Sequence, residues 1–248
     1  MKILITAGAT QEPIDPVRYI TNASSGRMGL SLAEEAVRRG HEITLITGSM
    51  QVLIPGKFKT IKVRTAKEMI ESTISELKNN YDIFISTAAI SDYTIVPEKD
   101  KIKSGEGELI LKLTPTEKLT KLVKEKFPKV FVAAFKAEHG VSEEDLIEAA
   151  YRKLKKENLD LIIANDVSGD VFGSDSNEVF IVDNERKVIH IGRGLKKDVA
   201  GRIFDLIEKT NPAEVFGKIA RSGKSKAFEP GKYYEEEIEH RWEKIKYS

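Results

Sequence analysis

The chain has 248 residues and no cysteine, and its 40 lysines and arginines nearly balance its 39 aspartates and glutamates. The lack of cysteine excludes disulfides, thiolate metal sites and a cysteine nucleophile, and the balanced charge argues against nucleic acid or an anionic membrane as a partner. No stretch approaches the roughly 18 consecutive apolar residues of a membrane-spanning helix, so we expect a protein of the cytoplasm.

The first elements predict a βαβ unit. Residues 2–6 form a short apolar run rich in β-branched side chains, residues 30–39 carry apolar side chains at helical spacing, and residues 41–48 read as a second strand. A right-handed crossover between these strands makes them parallel. Ligands of such sheets bind beyond the carboxyl ends of the strands.

The rest of the chain continues the alternation of strands and helices. This alternation predicts an α/β fold, a Rossmann-like three-layer sandwich with a mostly parallel sheet, to which the last two strands add a β-hairpin. Thr65 and Ser142 are predicted helix caps. Strand-like runs fall at 58–63, 83–86, 108–113, 130–135, 161–164, 179–182 and 188–190, and helical patterns at 66–79, 116–127, 142–157 and 195–209.

A long loop, TAGATQEPIDPVRYITNASSGRMG, stands where an ordinary dinucleotide-binding strand would turn straight into its helix. It ends in Ser24, Ser25 and Gly26, where the free amides of the helix terminus suit a phosphate or carboxylate. The alternative is that a serine only caps the helix. Asn22 is placed to donate to an oxyanion, although an Asx turn is the alternative that the residue taken alone favours.

A second candidate segment, TAAISDY, follows the strand at residues 83–86. Its small residues allow a base or sugar to approach the backbone, and Asp92 is suited to a ribose hydroxyl or a hydrated divalent cation. A plain loop with a helix-capping aspartate is the alternative. The charged segment 97–108 carries lysines suited to a triphosphate, or is simply a solvated loop.

Polar residues also gather after the strand at 161–164, in ANDVS and FGSDSNEV. No histidine has metal-ligand spacing and no G-x-S-x-G elbow is present, so zinc and serine-hydrolase interpretations are poor. A NAD(P) oxidoreductase is also disfavoured, because Gly8-Ala9-Thr10 lacks the G-x-G-x-x-G spacing and no acidic residue ends the second strand. A non-catalytic regulatory subunit stays open as a further alternative.

Taken together and in this order, the segments TAGATQEPIDPVRYITNASSGRMG, STAAISDY, PEKDKIKS, FKAEHG and ANDVS resemble the phosphopantothenoylcysteine synthetase family. The resemblance extends from residue 1 to about 208 and leaves residues 209–248 as an extension of unknown role. It implies a ligase of coenzyme A biosynthesis that joins 4′-phosphopantothenate to L-cysteine through an acyl-nucleotide, using CTP and Mg²⁺.

The resemblance also implies roles for individual residues. Asn22 and Lys101 are the expected catalytic residues, and Asp92 is the expected metal ligand. Substrate binding is expected of Arg18, Asn22, Ser24, Ser25 and Gly26, and nucleotide binding of Gly8, Ala9, Ala88, Ala89, Asp92, Lys101, Thr116, Glu117, Lys118, Leu119, Phe135 and Lys153.

Three departures from the family pattern leave the nucleotide open between CTP and ATP. The segment 97–104 has two extra residues, which makes Lys99 a rival of Lys101, with Lys103 as a further candidate. Ser104 replaces its last lysine, and Glu157 replaces a second lysine that favours cytidine nucleotide.

The resemblance finally implies a homodimer. Its interface is expected at the added hairpin, with Arg18 close to it. A separate phosphopantothenoylcysteine decarboxylase is a further candidate partner, because the decarboxylase half that precedes this one in many members is absent from the sequence.

Overall fold

A central sheet with helices on both faces organises the chain, as seen in a computed structural model that describes residues 1–105, 108–168 and 174–210. The strands are β1 Lys2–Ala7, β2 Gln11–Pro13, β3 Tyr19–Thr21, β4 Glu42–Thr47, β5 Lys59–Lys62, β6 Ile83–Ser86, β7 Tyr93–Thr94, β8 Thr114–Pro115, β9 Phe131–Glu138, β10 Leu161–Asp166, β11 Ser176–Asp183 and β12 Val188–Leu195. The helices are α1 Arg27–Arg38, α2 Ala66–Leu77, α3 Leu119–Lys126, α4 Glu143–Glu157 and α5 Lys196–Thr210.

Eight of the described strands form this sheet, in the order β12-β11-β10-β9-β6-β1-β4-β5. The six from β10 to β5 run parallel, whereas β11 and β12 are antiparallel to their neighbours. The predicted mostly parallel sheet with an added hairpin is therefore confirmed. The continuous apolar run of β1 reflects its central place, since helices cover both faces of the sheet.

Two separate cores flank the sheet. On one face α1 and α5 bury residues such as Leu32 and Phe204, and on the other α2, α3 and α4 bury residues such as Met69, Val123 and Leu154. The three-layer α/β architecture is confirmed. Among the described residues no helix combines the length and the apolar character needed to cross a membrane.

Both predicted helix caps are confirmed. The Thr65 side chain accepts from the amide of Glu68, whose own side chain closes a capping box at the start of α2. The Ser142 side chain accepts from the amide of Asp145 at the start of α4. Each cap satisfies one amide that the first helical turn leaves without a partner.

Several predicted boundaries are wrong. Residues 108–113, predicted as a strand, have no regular secondary structure, and Ile110 in their middle is 85% exposed. An apolar pattern makes a strand only where another strand pairs with it. The helix predicted from residue 116 begins at Leu119, because Thr116 donates its amide to Asp92 and its hydroxyl to Ser91.

The long loop before α1 is more regular than predicted. Strands β2 and β3 pair within it as a two-stranded sheet, and α1 begins at Arg27 instead of residue 30. The buried carboxylate of Glu12 in β2 accepts from the amide of Ala66 at 2.8 Å and from the Thr94 hydroxyl at 2.7 Å. The loop is thus fastened to the first turn of α2. Residues 211–248, most of the predicted extension, lie outside the described residues.

Candidate active site

A cavity of about 710 Å³ lies where β6, β9 and β10 end, bounded by the first turn of α1 on one side and by α3 and α4 on the other. This is the carboxyl edge of the parallel sheet, the predicted place for a ligand. Among the predicted site residues, those that line it are Ser24, Ser25, Gly26, Ala88, Ala89, Asp92, Thr116, Glu117, Lys118, Leu119, Phe135 and Lys153.

Five predicted site residues lie outside this lining: Gly8, Ala9, Arg18, Asn22 and Lys101. Gly8 supports the wall, since its carbonyl accepts from the amide of Ala89 at 2.9 Å. The amide of Ala9 donates to Ser49 at 3.0 Å, which fastens the segment after β1 to the segment after β4.

Two glycines let this wall close tightly. Gly8 and Gly26 have φ angles of +77° and +76°. A Cβ at Gly8 would stand 2.4 Å from the carbonyl oxygen of Ser49, and one at Gly26 only 2.1 Å from the Sδ of Met50. The positive φ disfavours a side chain at both positions, and at Gly8 the backbone of Ser49 also leaves no space, whereas at Gly26 the Met50 side chain would have to shift.

The start of α1 lacks the serine cap that was the alternative explanation for this segment. The N-cap residue is Gly26, and no side chain caps the helix. Ser24 Oγ lies 3.4 Å from the amide of Gly26, and Ser25 Oγ lies 3.5 Å from that of Arg27, both at the outer limit for a hydrogen bond. An uncapped first turn beside a cavity suits an anionic ligand group.

Asn22 is held against the cavity wall. Its Nδ2 donates to the carbonyl of Ala89 at 3.1 Å, and its own backbone carbonyl accepts from Ser24 at 2.9 Å. The side chain therefore bridges the long loop to the segment after β6, instead of closing an Asx turn through its oxygen. This places the amide beside a lining residue while the residue itself stays exposed.

Asp92 forms an ion pair with Lys118 at 2.5 Å, between side chains that are 70% and 53% exposed. It does not cap α3, whose N-cap residue is Lys118. Within residues 1–105, 108–168 and 174–210, no group of three His, Cys, Asp or Glu side chains is arranged to hold a metal. A magnesium ion at Asp92 would therefore take most of its ligands from phosphate oxygens and water, as Mg²⁺ does in nucleotide sites.

Arg18 and the segment that carries Lys101 meet outside the cavity. The Arg18 guanidinium holds Asp15 through two hydrogen bonds and donates to the carbonyl of Ile102 at 2.6 Å. Asp15 in turn accepts from the amide of Ile102 at 3.2 Å. The hydrogen bonds from Arg18 hold the pKa of the Asp15 carboxyl far below its ordinary value. Lys101 and Lys103 flank this anchored residue and are both exposed.

At the α4 end of the cavity a lysine is paired with a buried carboxylate. Lys153 Nζ lies 2.7 Å from Glu157, whose side chain is 8% exposed. Glu157 also accepts a short hydrogen bond from the Thr120 hydroxyl. The cations Arg152 and Lys156 line the same end, whereas Phe135 lines the cavity from the sheet face that packs against α1 and α5.

At the α1 end lie two cations that were not among the predicted site residues, Arg27 and Lys196. Arg27 pairs with Asp175 at 2.6 Å. Lys196 is buried and donates to the backbone carbonyl of Ser174 at 2.5 Å. The available sequence signal for Lys196 was a cation in the first turn of a helix, where the helix dipole disfavours positive charge.

Comparisons with known proteins identify the family of the chain. Residues 1–210 match the family described as the DNA/pantothenate metabolism flavoprotein C-terminal domain. The chain belongs to this family. A coenzyme A biosynthesis bifunctional protein CoaBC from Thermococcus kodakarensis is 47% identical over 213 residues, which are 84% of this chain and 51% of the relative. The chain spans about half the length of the curated relatives it matches.

Two solved structures of the family are similar to this one. The crystal structure of the C-terminal domain of a coenzyme A biosynthesis bifunctional protein CoaBC has a TM-score of 0.68 and 33% identity, covering 84% of this chain and 94% of that one. The DNA/pantothenate metabolism flavoprotein from Streptococcus pneumoniae has a TM-score of 0.74 and 29% identity, covering 84% and 99%. The family resemblance that the motifs indicated is thereby confirmed.

Proposed function

We propose that this chain is a phosphopantothenate–cysteine ligase of coenzyme A biosynthesis. The carboxylate of 4′-phosphopantothenate attacks the α-phosphorus of CTP, or of ATP, and pyrophosphate leaves. The amine of L-cysteine then attacks the carbonyl carbon of the acyl-nucleotide, and the nucleoside monophosphate leaves. Activation is required because a carboxylate becomes an acylating agent only when one of its oxygens belongs to a good leaving group.

The observation that supports this proposal best is the combination of groups around one cavity. The uncapped start of α1 offers amides to phosphate, the small side chains of Ala88 and Ala89 let a nucleotide approach the backbone, and Phe135 offers an aromatic wall. The names of the family's relatives in coenzyme A biosynthesis point to the same chemistry.

We assign the remaining roles as part of the proposal. Asn22, held beside Ala89, contacts the acyl-nucleotide intermediate. Lys101 neutralises charge on the triphosphate after the segment 97–105 moves towards the cavity. Asp92 supplies a carboxylate to Mg²⁺, which lowers the charge on the phosphates when bound. Arg18 lies near a homodimer interface that involves the β11–β12 hairpin, and a separate decarboxylase is a candidate partner in the cytoplasm.

Glu157 makes ATP a second candidate nucleotide. The carboxylate occupies the place where the family pattern has a lysine, and it binds Lys153 at 2.7 Å. A nucleotide bound at this end of the cavity therefore contacts the Lys153–Glu157 ion pair instead of two unpaired ammonium groups. Less positive charge is then available to select cytosine, which leaves ATP as a candidate.

The proposal is tested by measuring pyrophosphate release from the full chain with phosphopantothenate, Mg²⁺ and either CTP or ATP, with and without cysteine. Release that depends on phosphopantothenate, followed by product formation with cysteine, is the expected result. No release with either nucleotide would overturn the proposal. Nicotinamide cofactor binding in a titration would instead support an oxidoreductase, and a stable fold with neither activity would support a regulatory subunit.

Variants then test the two catalytic roles. We expect Asn22→Asp to release pyrophosphate but form little final product, and Lys101→Gln to lose the first step. Lys99→Gln and Lys103→Gln are the matched comparisons, because these lysines are also exposed on the same segment. If Lys101→Gln turns over normally while Lys99→Gln or Lys103→Gln does not, the role belongs to that neighbour.

A further inference from the structure

The α1 end of the cavity holds more positive than negative charge. Lys196 is 8% exposed, and the acceptor that the structure gives its ammonium is the neutral carbonyl of Ser174. The Asp175 carboxylate is paired with Arg27 at 2.6 Å. Among the described residues, no carboxylate lies within ion-pair distance of Lys196 Nζ. Burying an ammonium without a counter-charge costs free energy, which an anion in the cavity would offset.

Hydrogen-bond donors are also left over at this end. One N–H of the Lys196 ammonium is used by Ser174, and the group has three. Arg27 donates through Nη1 to Asp175, but its Nε is buried without a partner among the described residues. A buried donor without a partner is uncommon in folded proteins and commonly marks a place where a ligand completes the bonding.

The two cations are close enough to influence each other. Burial lowers the pKa of the Lys196 ammonium and the charge of Arg27 lowers it further, whereas the charge of Asp175 opposes the shift in part. Both residues line the same cavity, next to the uncapped first turn of α1. Two neighbouring cations with free N–H groups match a phosphate dianion, which has several acceptor oxygens and two negative charges.

We infer that Lys196, assisted by Arg27, binds a phosphate group of a substrate at the α1 end of the cavity. The inference rests on the proposed ligase function for the identity of the phosphate compounds. Two of them carry this chemistry, the polyphosphate of the nucleotide and the terminal phosphate of phosphopantothenate. In either case the phosphate supplies negative charge to an end where two cations share one carboxylate, Asp175.

The test is a pair of calorimetric titrations of the full chain, one with inorganic pyrophosphate and one with 4′-phosphopantothenate. Lys196→Met replaces the ammonium by an uncharged side chain of similar length. Lys197→Met is the matched control, because Lys197 is the next residue of α5 but is exposed and outside the cavity. We expect Lys196→Met to weaken the binding of one anion by about tenfold or more, as for the loss of a hydrogen bond to a charged group.

The anion that is weakened identifies the source of the phosphate. Unchanged affinity for both anions in a folded Lys196→Met protein would overturn the inference, and a lower melting temperature alone would show that the Ser174 hydrogen bond is purely structural. If Lys196→Met does not fold, Arg27→Gln carries the same expectation and Lys196→Arg should restore binding. Normal affinity of Arg27→Gln for both anions would then overturn it.

These titrations need no turnover, so the inference and the ligase function fail separately. If pyrophosphate binding depends on Lys196 but the chain has no ligase activity, the phosphate site is supported and the proposed function is contradicted. If the chain is an active ligase but its phosphate affinities do not depend on Lys196, the function is supported and the phosphate site is contradicted.

Discussion

The two ends of the cavity both carry lysine and arginine side chains, but they balance this charge differently. At the α4 end Lys153 lies 2.7 Å from the buried carboxylate of Glu157. At the α1 end buried Lys196 has the neutral carbonyl of Ser174 as its acceptor. The two lysines therefore differ in their partners: Lys153 has a carboxylate at ion-pair distance, whereas Lys196 has a neutral carbonyl.

This difference matches the two parts of a nucleotide. A base is uncharged and requires a few oriented polar groups, which the Lys153–Glu157 pair offers at the α4 end. Phosphates require positive charge and N–H donors, which Arg27, Lys196 and the first turn of α1 offer. The following predictions test whether the ends are distinct in this way.

The largest effect is expected from breaking the pair at the α4 end. Glu157→Ala removes a buried carboxylate and leaves both Lys153 and the Thr120 hydroxyl without it. Losing one partner of a buried ion pair typically costs about 3 kcal/mol or more, and the 22% exposure of the Lys153 side chain places this pair at the low end of that range. Thr120→Val is the matched comparison and should cost about 1 kcal/mol. Denaturant unfolding measures both free-energy losses. Small and equal losses in the two variants would contradict a coupling between Lys153 and the buried carboxylate of Glu157.

A smaller loss is expected from pushing α1 away from the sheet. A Cβ at Gly29 would stand 2.4 Å from Thr87 Oγ1 and 2.5 Å from the Cβ of Ala7. We expect Gly29→Ala to cost about 2 kcal/mol through overpacking. It should also weaken pyrophosphate binding, because it displaces the first turn of α1.

Gly56→Ala is the control for this change, since a Cβ there would meet no atom within 4 Å. Its unfolding free energy should stay within about 0.5 kcal/mol of the parent. A Gly29→Ala protein that is as stable as the Gly56→Ala protein would show that α1 shifts freely.

Removing the charge of Lys153 should show by enzyme kinetics whether the α4 end binds the base or takes part in the chemical step. Because Glu157 already neutralises Lys153, Lys153→Met should change kcat/KM for the nucleotide by less than about tenfold, mostly through KM. The ratio of CTP to ATP activity is the measurement. A loss in kcat as large as that of Lys101→Gln would show that Lys153 acts in the chemical step and not on the base.

Acid should lower the stability of the fold by protonating Asp166, at the carboxyl end of β10. Amides of Ser168, Gly140 and Val141 donate to this carboxylate at 2.6, 3.1 and 3.2 Å. These bonds, that from Ser168 first, lower the pKa of Asp166 from 3.8 to about 2. Since the folded pKa is the lower one, the carboxylate stabilises the fold above its unfolded pKa, and this contribution is lost as the pH falls towards about 2.

Asp166→Asn cannot accept these bonds equally well, so it should lower the melting temperature at neutral pH. The difference from the parent should shrink through the acid range and vanish near the folded pKa. A difference that does not depend on pH would show that the charge of Asp166 contributes nothing.

The smallest effect on stability is expected at the exposed Asp92–Lys118 pair. Its side chains are 70% and 53% exposed, so Asp92→Ala should change the unfolding free energy by less than about 0.5 kcal/mol. Ligase activity should fall strongly, and its dependence on Mg²⁺ concentration is the measurement. A variant with normal activity at every Mg²⁺ concentration would remove Asp92 from the proposed site.

Local patterns in the sequence were sufficient for much of the fold. The capping side chains of Thr65 and Ser142, the apolar runs of the parallel strands and the antiparallel pair at the end were all predicted, because each depends on neighbours along the chain. The segments that line the cavity were found for the same reason, since the residue after a parallel strand always lies at the same edge of the sheet.

Only the tertiary structure decided which groups meet. Residues 108–113 have a strand-like pattern but find no partner strand, and Lys153 and Lys196 look alike in sequence but differ in what lies beside them. The strand order, the burial of a side chain and its counter-charge all depend on contacts between residues far apart in the chain. The sequence by itself therefore determined the elements and the edge where a ligand binds, and the packing of α1, α4 and α5 decided which lysine at that edge has a carboxylate as its partner.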